Sequence, residues 1–185
     1  MNTKFDTKKK VLLHVCCAVC SATTIKILYD KYEISFYWYN PNIYDIQEYK
    51  NRKNAAIKYS EELNIPFYEE KDFSYNYFNW KNESFEKCIF CYKLRIEKTA
   101  IFAKKNRFDF FSTSLLSSPH QKHDIVKQIA INFTYKYTVE FLYKDFRKYF
   151  YDAKNSLKKR GYYIQKYCGC NKSLKQVKSR QVEVA

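Results

Sequence analysis

A chain of 185 residues, 46% of them apolar, has enough nonpolar surface for a single domain with an ordinary hydrophobic core. No apolar run approaches the roughly 18–20 residues of a membrane helix, and Met1-Asn2-Thr3-Lys4-Phe5-Asp6 has no apolar signal segment, so a helical membrane protein is excluded and a cytoplasmic chain without a membrane partner is expected. The formal net charge of +15 favours phosphate polyanions as partners, although two Gly, three Pro and nineteen Tyr also fit the bias of an AT-rich genome, which would account for part of that charge.

The first segment, Lys10-Val11-Leu12-Leu13-His14-Val15, is a short apolar run rich in branched residues and reads as a buried parallel strand. Cys16, Cys17 and Cys20 follow it. Ala22, Ile25, Leu28, Tyr29 and Tyr32 then recur at helical spacing, with Ser21 as the expected N-cap. Residues 34–39 read as a second strand, ended by Asn40-Pro41-Asn42. Asp45 and Glu48 form a capping-box-like pair before an amphipathic helix carrying Ile46, Tyr49, Ala56, Ile57 and Leu63. Residues 65–68 read as a third strand, with Pro66 suited to a strand start or an edge. Residues 72–87 are polar, aromatic and irregular. A helix is expected from about Cys88 to Lys105, a strand over 108–116, and a helix through Ile125, Val126 and Ile129. A fifth strand is expected over 137–142 and a basic helix from about Asp145 to Lys159. The tail after Ser173 is expected to be loosely ordered. Strands alternating with helices imply βαβ units and a parallel sheet, in one domain spanning residues 1–185.

The seven cysteines form three clusters: Cys16-Cys17-Ala18-Val19-Cys20, Cys88-Ile89-Phe90-Cys91 and Cys168-Gly169-Cys170. Their odd number and the absence of a signal segment argue against a disulfide-stapled secreted domain. Packed core thiols would explain one such pair but not three clusters. Cys16 and Cys17 lie at the carboxyl end of the first strand, where open α/β sheets bind ligands. Adjacent strand residues face opposite ways, so the chain must bend there for both to reach one centre. Cys88 and Cys91 share a helix face or form a two-residue metal clamp. Together the two pairs supply four thiolates, which suits tetrahedral zinc or a four-iron cluster. Cys168-Gly169-Cys170 reads as a reversible two-electron thiol pair, with metal ligation as the competing role.

These clusters resemble the QueH-type epoxyqueuosine reductases, and the matching segments span nearly the whole chain. They include residues 12–21, Tyr39-Asn40-Pro41-Asn42-Ile43, Cys88-Ile89-Phe90-Cys91-Tyr92 with Arg95 and Thr99-Ala100, residues 111–119, Asp145-Phe146-Arg147-Lys148 and Tyr167-Cys168-Gly169-Cys170. Val19 departs from the family's usual Pro without removing a ligand. The resemblance implies a Rossmann-like α/β domain that reduces epoxyqueuosine in tRNA to queuosine. It implies a [4Fe-4S] cluster on Cys16, Cys17, Cys88 and Cys91, and a redox-active pair at Cys168 and Cys170 in the C-terminal segment. It also implies a second iron ion, for which Cys20 is the candidate ligand, and an electron donor that the sequence does not identify. No Gly-rich phosphate loop is present, so no ATP use is expected.

Reduction of an epoxide needs a proton donor, for which His120 and His123 are better placed than His14, whose expected role is structural. Arg95, Arg147, Lys148 and the run Lys158-Lys159-Arg160 are candidates for phosphate contact or for a solvated helix face. Tyr39 and Asn40 either hold the base or close the second strand. Two other functions fit parts of the pattern. A zinc-stabilised, non-catalytic RNA-binding module shares the charge and four thiolates but leaves Cys20 and the Cys168/Cys170 pair unexplained. A protein thiol-disulfide oxidoreductase would leave the first cluster idle.

Overall fold

The computed structural model describes residues 8–70 and 85–182. Five parallel strands are ordered β3-β2-β1-β4-β5. β1 is Lys10–His14, β2 Glu33–Trp38, β3 Phe67–Glu69, β4 Phe110–Thr113 and β5 Glu140–Phe141. Six helices intervene or follow: α1 Ala18–Leu28, α2 Ile46–Glu62, α3 Phe85–Lys105, α4 His123–Tyr137, α5 Phe150–Lys159 and α6 Asn171–Val182.

β1 is the centre of the sheet. It pairs with β2 through Leu12 against Ser35 and with β4 through Leu12 against Phe111. Val11, Leu12, Leu13 and Phe36 are wholly buried, as expected for strands covered on both faces by crossover helices. α1 packs with α2 and α5, while α3 packs with α4 and against β1 and β4. Because the chain winds from β1 to β2 and β3, then returns past β1 to β4 and β5, the loops leaving β1 and β4 diverge. That divergence opens a crevice at their carboxyl ends.

Several elements begin or end away from their sequence-based positions, each for a local reason. Helix α1 is capped by Cys17, whose backbone is extended and whose sulfur accepts from Cys20 N, whereas Ser21 lies inside the helix and its hydroxyl donates to the Cys17 carbonyl. The strand expected over 108–116 stops at Thr113, whose hydroxyl accepts from Leu115 N and starts a 3-10 turn over Ser114–Ser117. Tyr137 belongs to α4, and Thr138 at φ 52° ends that helix, leaving β5 only two residues. Pro66 lies just before β3, and β3 is an edge strand. The segment after Asp145 first makes a 3-10 turn over Arg147–Tyr149, so its helix starts at Phe150. The tail is helical, with Leu174 N bonded to Cys170 O at its first turn. Residues 85–87 are helical, and the remainder of the irregular 72–87 stretch lies outside the described residues.

Candidate metal and redox centre

The crevice at the ends of β1 and β4 holds the first cysteine cluster. Cys16 N donates to Ser114 Oγ at 3.1 Å, and that hydroxyl lies 3.4 Å from Cys16 Sγ, joining the two strand ends. The chain leaves the strand here, which lets neighbouring thiols face one centre. Cys16 and Cys17 sulfurs are 3.9 Å apart, and the sulfurs of Cys16, Cys17 and Cys20 all lie within 4.8 Å of one another. Hydrogen bonding with Cys17 and Cys20, helped by the Arg95 charge and Ser114, holds the Cys16 thiol well below the ordinary range. Burial pushes Cys17 up to about 12, and hydrogen bonding to Cys16, then to Cys17, raises Cys20. Three sulfurs thus converge, with Cys16 the one whose anionic form is favoured. This donor set fits a metal, because ligation replaces thiol protons.

The second cluster lies on α3. One turn after Cys91, the buried Arg95 guanidinium reaches Cys91 Sγ at 3.8 Å, Asn40 Oδ1 at 2.7 Å and His14 Nε2 at 3.4 Å. Asn40 Nδ2 in turn donates to Val15 O at 2.8 Å. Burial raises the Cys91 thiol, with Cys170 and Cys88 adding to that rise. Burial alone would lower Arg95, but the sulfurs of Cys91, Cys16 and Cys168 hold it above its usual value. Arg95 is therefore electrostatically linked to all three clusters.

The third cluster lies at the start of α6. Cys168 and Cys170 sulfurs are 3.4 Å apart, and Ser173 Oγ lies 2.9 Å from the first and 3.4 Å from the second. Hydrogen bonding with Cys168, then with Ser173, with the Lys87 charge nearby, lowers Cys170 to about 5, while Cys168 is raised by its bond to Cys170 and by burial. Gly169 has φ +111°, and a Cβ there would lie 2.9 Å from Ile43 Cγ1. Only glycine adopts this backbone in this space without strain.

Sequence reasoning missed three side chains that bind these segments together. Gln165 Nε2 donates to Cys17 Sγ at 2.8 Å, linking the C-terminal segment to the first cluster. Arg52 and Asn42 bond to backbone carbonyls at 167–168. Asn42 lies in a segment already singled out, but nothing in local spacing marks Gln165 or Arg52, whose partners are 148 and about 115 residues away.

Other candidate residues lie as follows. Tyr39 and Asn40 are buried, and Asn40 fixes Arg95, so these positions close β2 and brace the centre. Arg95 is only 3% exposed and faces sulfur, which leaves no open face for a phosphate. Arg147 is exposed but held by both Asp145 carboxylate oxygens at 2.9 and 3.1 Å. Lys148 is exposed near the Tyr149 ring, and Arg160 pairs with Glu62. His14 is buried against Thr113 Oγ1 at 2.9 Å, and burial, with the Arg95 charge, lowers it to about 3, so it is neutral and structural. His123 is lowered by burial and lies 3.3 Å from Tyr143 Oη; His120 sits edge-on to Phe150.

Comparison with known proteins gives a consistent result. The family model described as epoxyqueuosine reductase QueH matches residues 11–176. The epoxyqueuosine reductase QueH of Dehalococcoides mccartyi is 35% identical over 87% of this chain and 90% of that protein. Its counterpart in Thermotoga maritima is 33% identical over 95% of both. Among solved structures, a teicoplanin deacetylase complex aligns with a TM-score of 0.48 at 11% identity, covering 72% of this chain and 65% of that one.

Proposed function

Because the chain belongs to the QueH family of epoxyqueuosine reductases, we propose that it reduces epoxyqueuosine in tRNA to queuosine with a metal centre and the Cys168/Cys170 pair. It is an enzyme of the oxidoreductase class within queuosine biosynthesis. The observation that supports the finer reading is the convergence of the Cys16, Cys17 and Cys20 sulfurs within 4.8 Å of one another, with the Arg95 guanidinium 3.8 Å from Cys91 Sγ.

Cys16, Cys17, Cys88 and Cys91 would hold a [4Fe-4S] cluster, and Cys20 is the thiol left for a second iron. When bound, these groups supply single-electron transfer and Lewis acidity toward an epoxide oxygen. The surrounding residues have separate tasks. Ser114 and Gln165 donate hydrogen bonds to the Cys16 and Cys17 sulfurs and favour their anionic form. Arg95 does the same for Cys91, and Asn40 fixes its guanidinium. Neutral His14 occupies the inner wall without adding charge.

Removing one oxygen from an epoxide to leave an alkene requires two electrons and two protons and yields water. Oxidation of the Cys168/Cys170 pair to a disulfide releases two electrons and the Cys168 proton; with Cys170 already a thiolate, solvent supplies the second proton. An electron donor must then restore the dithiol. The lowered Cys170 is the favoured nucleophilic thiolate of the pair, with Cys168 3.4 Å away the largest cause of that lowering.

The test is mass analysis of the product. Anaerobically reconstituted protein incubated with epoxyqueuosine-containing tRNA and a reductant should yield tRNA lighter by one oxygen. Unchanged mass with a metal-loaded, folded protein would overturn the proposal.

A further inference from the structure

Arg52 is the most deeply buried charged side chain on α2, at 2% exposure, and it touches none of the cysteine sulfurs. Its Nη2 donates to Tyr167 O at 2.9 Å and its Nη1 to Cys168 O at 3.2 Å. Its Nε donates to Glu48 Oε1 at 2.6 Å, and the other Glu48 oxygen accepts from Tyr163 Oη. The guanidinium also lies 5.3 Å from the centre of the Tyr167 ring. Three neighbours act on the same turn: Asn42 Nδ2 donates to Cys168 O at 3.2 Å, Tyr44 N donates to Gly169 O at 3.0 Å, and Ile43 lies against Gly169.

A Cys-Gly-Cys segment has little internal stiffness, because glycine admits a wide range of backbone angles. A free turn would let the two sulfurs separate. Here the carbonyls on either side of Cys168 are held by one rigid fork, which the Glu48 carboxylate orients from behind. A planar guanidinium suits two adjacent acceptors, because its N–H groups are fixed relative to one another. Burying an ion pair is a poor way to gain stability alone, since desolvation offsets much of the attraction. An ion pair whose guanidinium grips two carbonyls about 115 residues away, beside a reactive thiol, has a clearer use in orientation.

We propose that Arg52, oriented by Glu48, is a positioning residue that holds the Cys168-Gly169-Cys170 turn so that its two thiols can exchange with a disulfide. This rests on the reading of Cys168 and Cys170 as the redox pair. In the exchange with oxidised glutathione, the Cys170 thiolate attacks the glutathione disulfide and releases one glutathione thiolate. The Cys168 sulfur then displaces the second, forming the Cys168–Cys170 bond. The pair is oxidised and glutathione is reduced; the Cys168 proton passes to one leaving glutathione thiolate, and water protonates the other. Holding the turn raises the effective molarity of the second thiol toward the mixed disulfide.

The experiment equilibrates full-length, anaerobically purified protein in glutathione redox buffers. Free thiols are then alkylated, and the Cys168/Cys170 peptide is resolved by mass. Arg52→Met should lower the equilibrium constant for the intramolecular disulfide by about tenfold or more, the scale on which a loosened reactant loses effective molarity. Arg52→Lys, which keeps charge but not the fork, should fall between. Should Arg52→Met misfold because Glu48 is left unpaired, the double change Glu48→Met with Arg52→Met removes both buried charges and should show the same loss. An unchanged or larger constant in a folded variant, even one with a lower melting temperature, would make Arg52 purely structural and sink the inference alone. Failure of the unaltered protein to form this disulfide would instead remove the redox-pair reading and this inference with it.

Discussion

A thiol that donates to its neighbour stabilises that neighbour as a thiolate, and Cys168, 3.4 Å from Cys170, is the largest cause of the lowering of Cys170. With Cys170 lowered to about 5, its alkylation rate in the reduced protein should be nearly flat from pH 6 to pH 8. Cys168→Ser removes the largest cause of the lowering. Cys170 should then titrate at higher pH, and its alkylation at pH 6 should slow, as peptide-resolved mass spectrometry would show. An unshifted profile would mean that Ser173 and Lys87 alone set the pKa. At this scale the sequence was informative about chemistry and poor about supports. The cysteines announce themselves by spacing, and Gly169 between two of them marks a special backbone. Arg95, a candidate for phosphate contact or for a solvated helix face, is buried and reaches Cys91 Sγ, because it lies one helical turn beyond Cys91 on the buried face of α3. Gln165 carries no local mark, since only the folded chain brings it to Cys17.

Helix α2 shows how an element can matter at a distance from the chemistry. Its start is set by Asp45, whose carboxylate accepts from Glu48 N at 2.7 Å. Asp45→Ala should destabilise the protein by about 1 kcal/mol in urea denaturation. It should also loosen the first turn, which carries Glu48, the residue that orients Arg52. This cap was legible because Asp three residues before Glu is a strong local signal. The cap of α1 was not, because a cysteine sulfur in that role has no comparable sequence preference; Ser21 is the better capping residue, but its hydroxyl bonds back to Cys17 O inside the helix. Strand order was likewise implicit rather than readable. Alternation of strands and helices predicts parallel pairing, but that β1 lies between β2 and β4 depends on where the third crossover lands.

At the scale of the molecule, the +15 charge and the metal centre make separate predictions. Binding of tRNA should weaken steeply with salt, each neutralised phosphate adding about 0.7–0.9 to the slope of log affinity against log salt concentration. A slope near zero would remove the electrostatic account of partner choice. Protein purified without oxygen should be brown and hold about four or more irons per chain, as a four-iron cluster with its four thiolates requires. A colourless protein with one zinc would leave the same cysteines as a structural site. The two measurements are independent, because the phosphate-facing candidates Lys148, Lys158 and Lys159 are exposed positions on or beside α5, whereas the thiols of Cys17 and Cys20 are buried at the sheet.

The central place of β1 has a consequence for the order of events during synthesis. The strand that leads into Cys16, Cys17 and Cys20 is made before β4, yet it pairs with β4 about a hundred residues later. The Gln165 amide that contacts Cys17, and the Cys168/Cys170 pair itself, are made after β5. A nascent chain that has passed β5 but not reached Gln165 already has every strand of the sheet and five of its seven cysteines. On the proposed reading it would hold the metal-ligating thiols before the redox pair exists, and Gln165, which bonds to Cys17 Sγ, would not yet be in place. Loading of the proposed centre and completion of the proposed electron path would then be separable in time, with the path the later of the two to close.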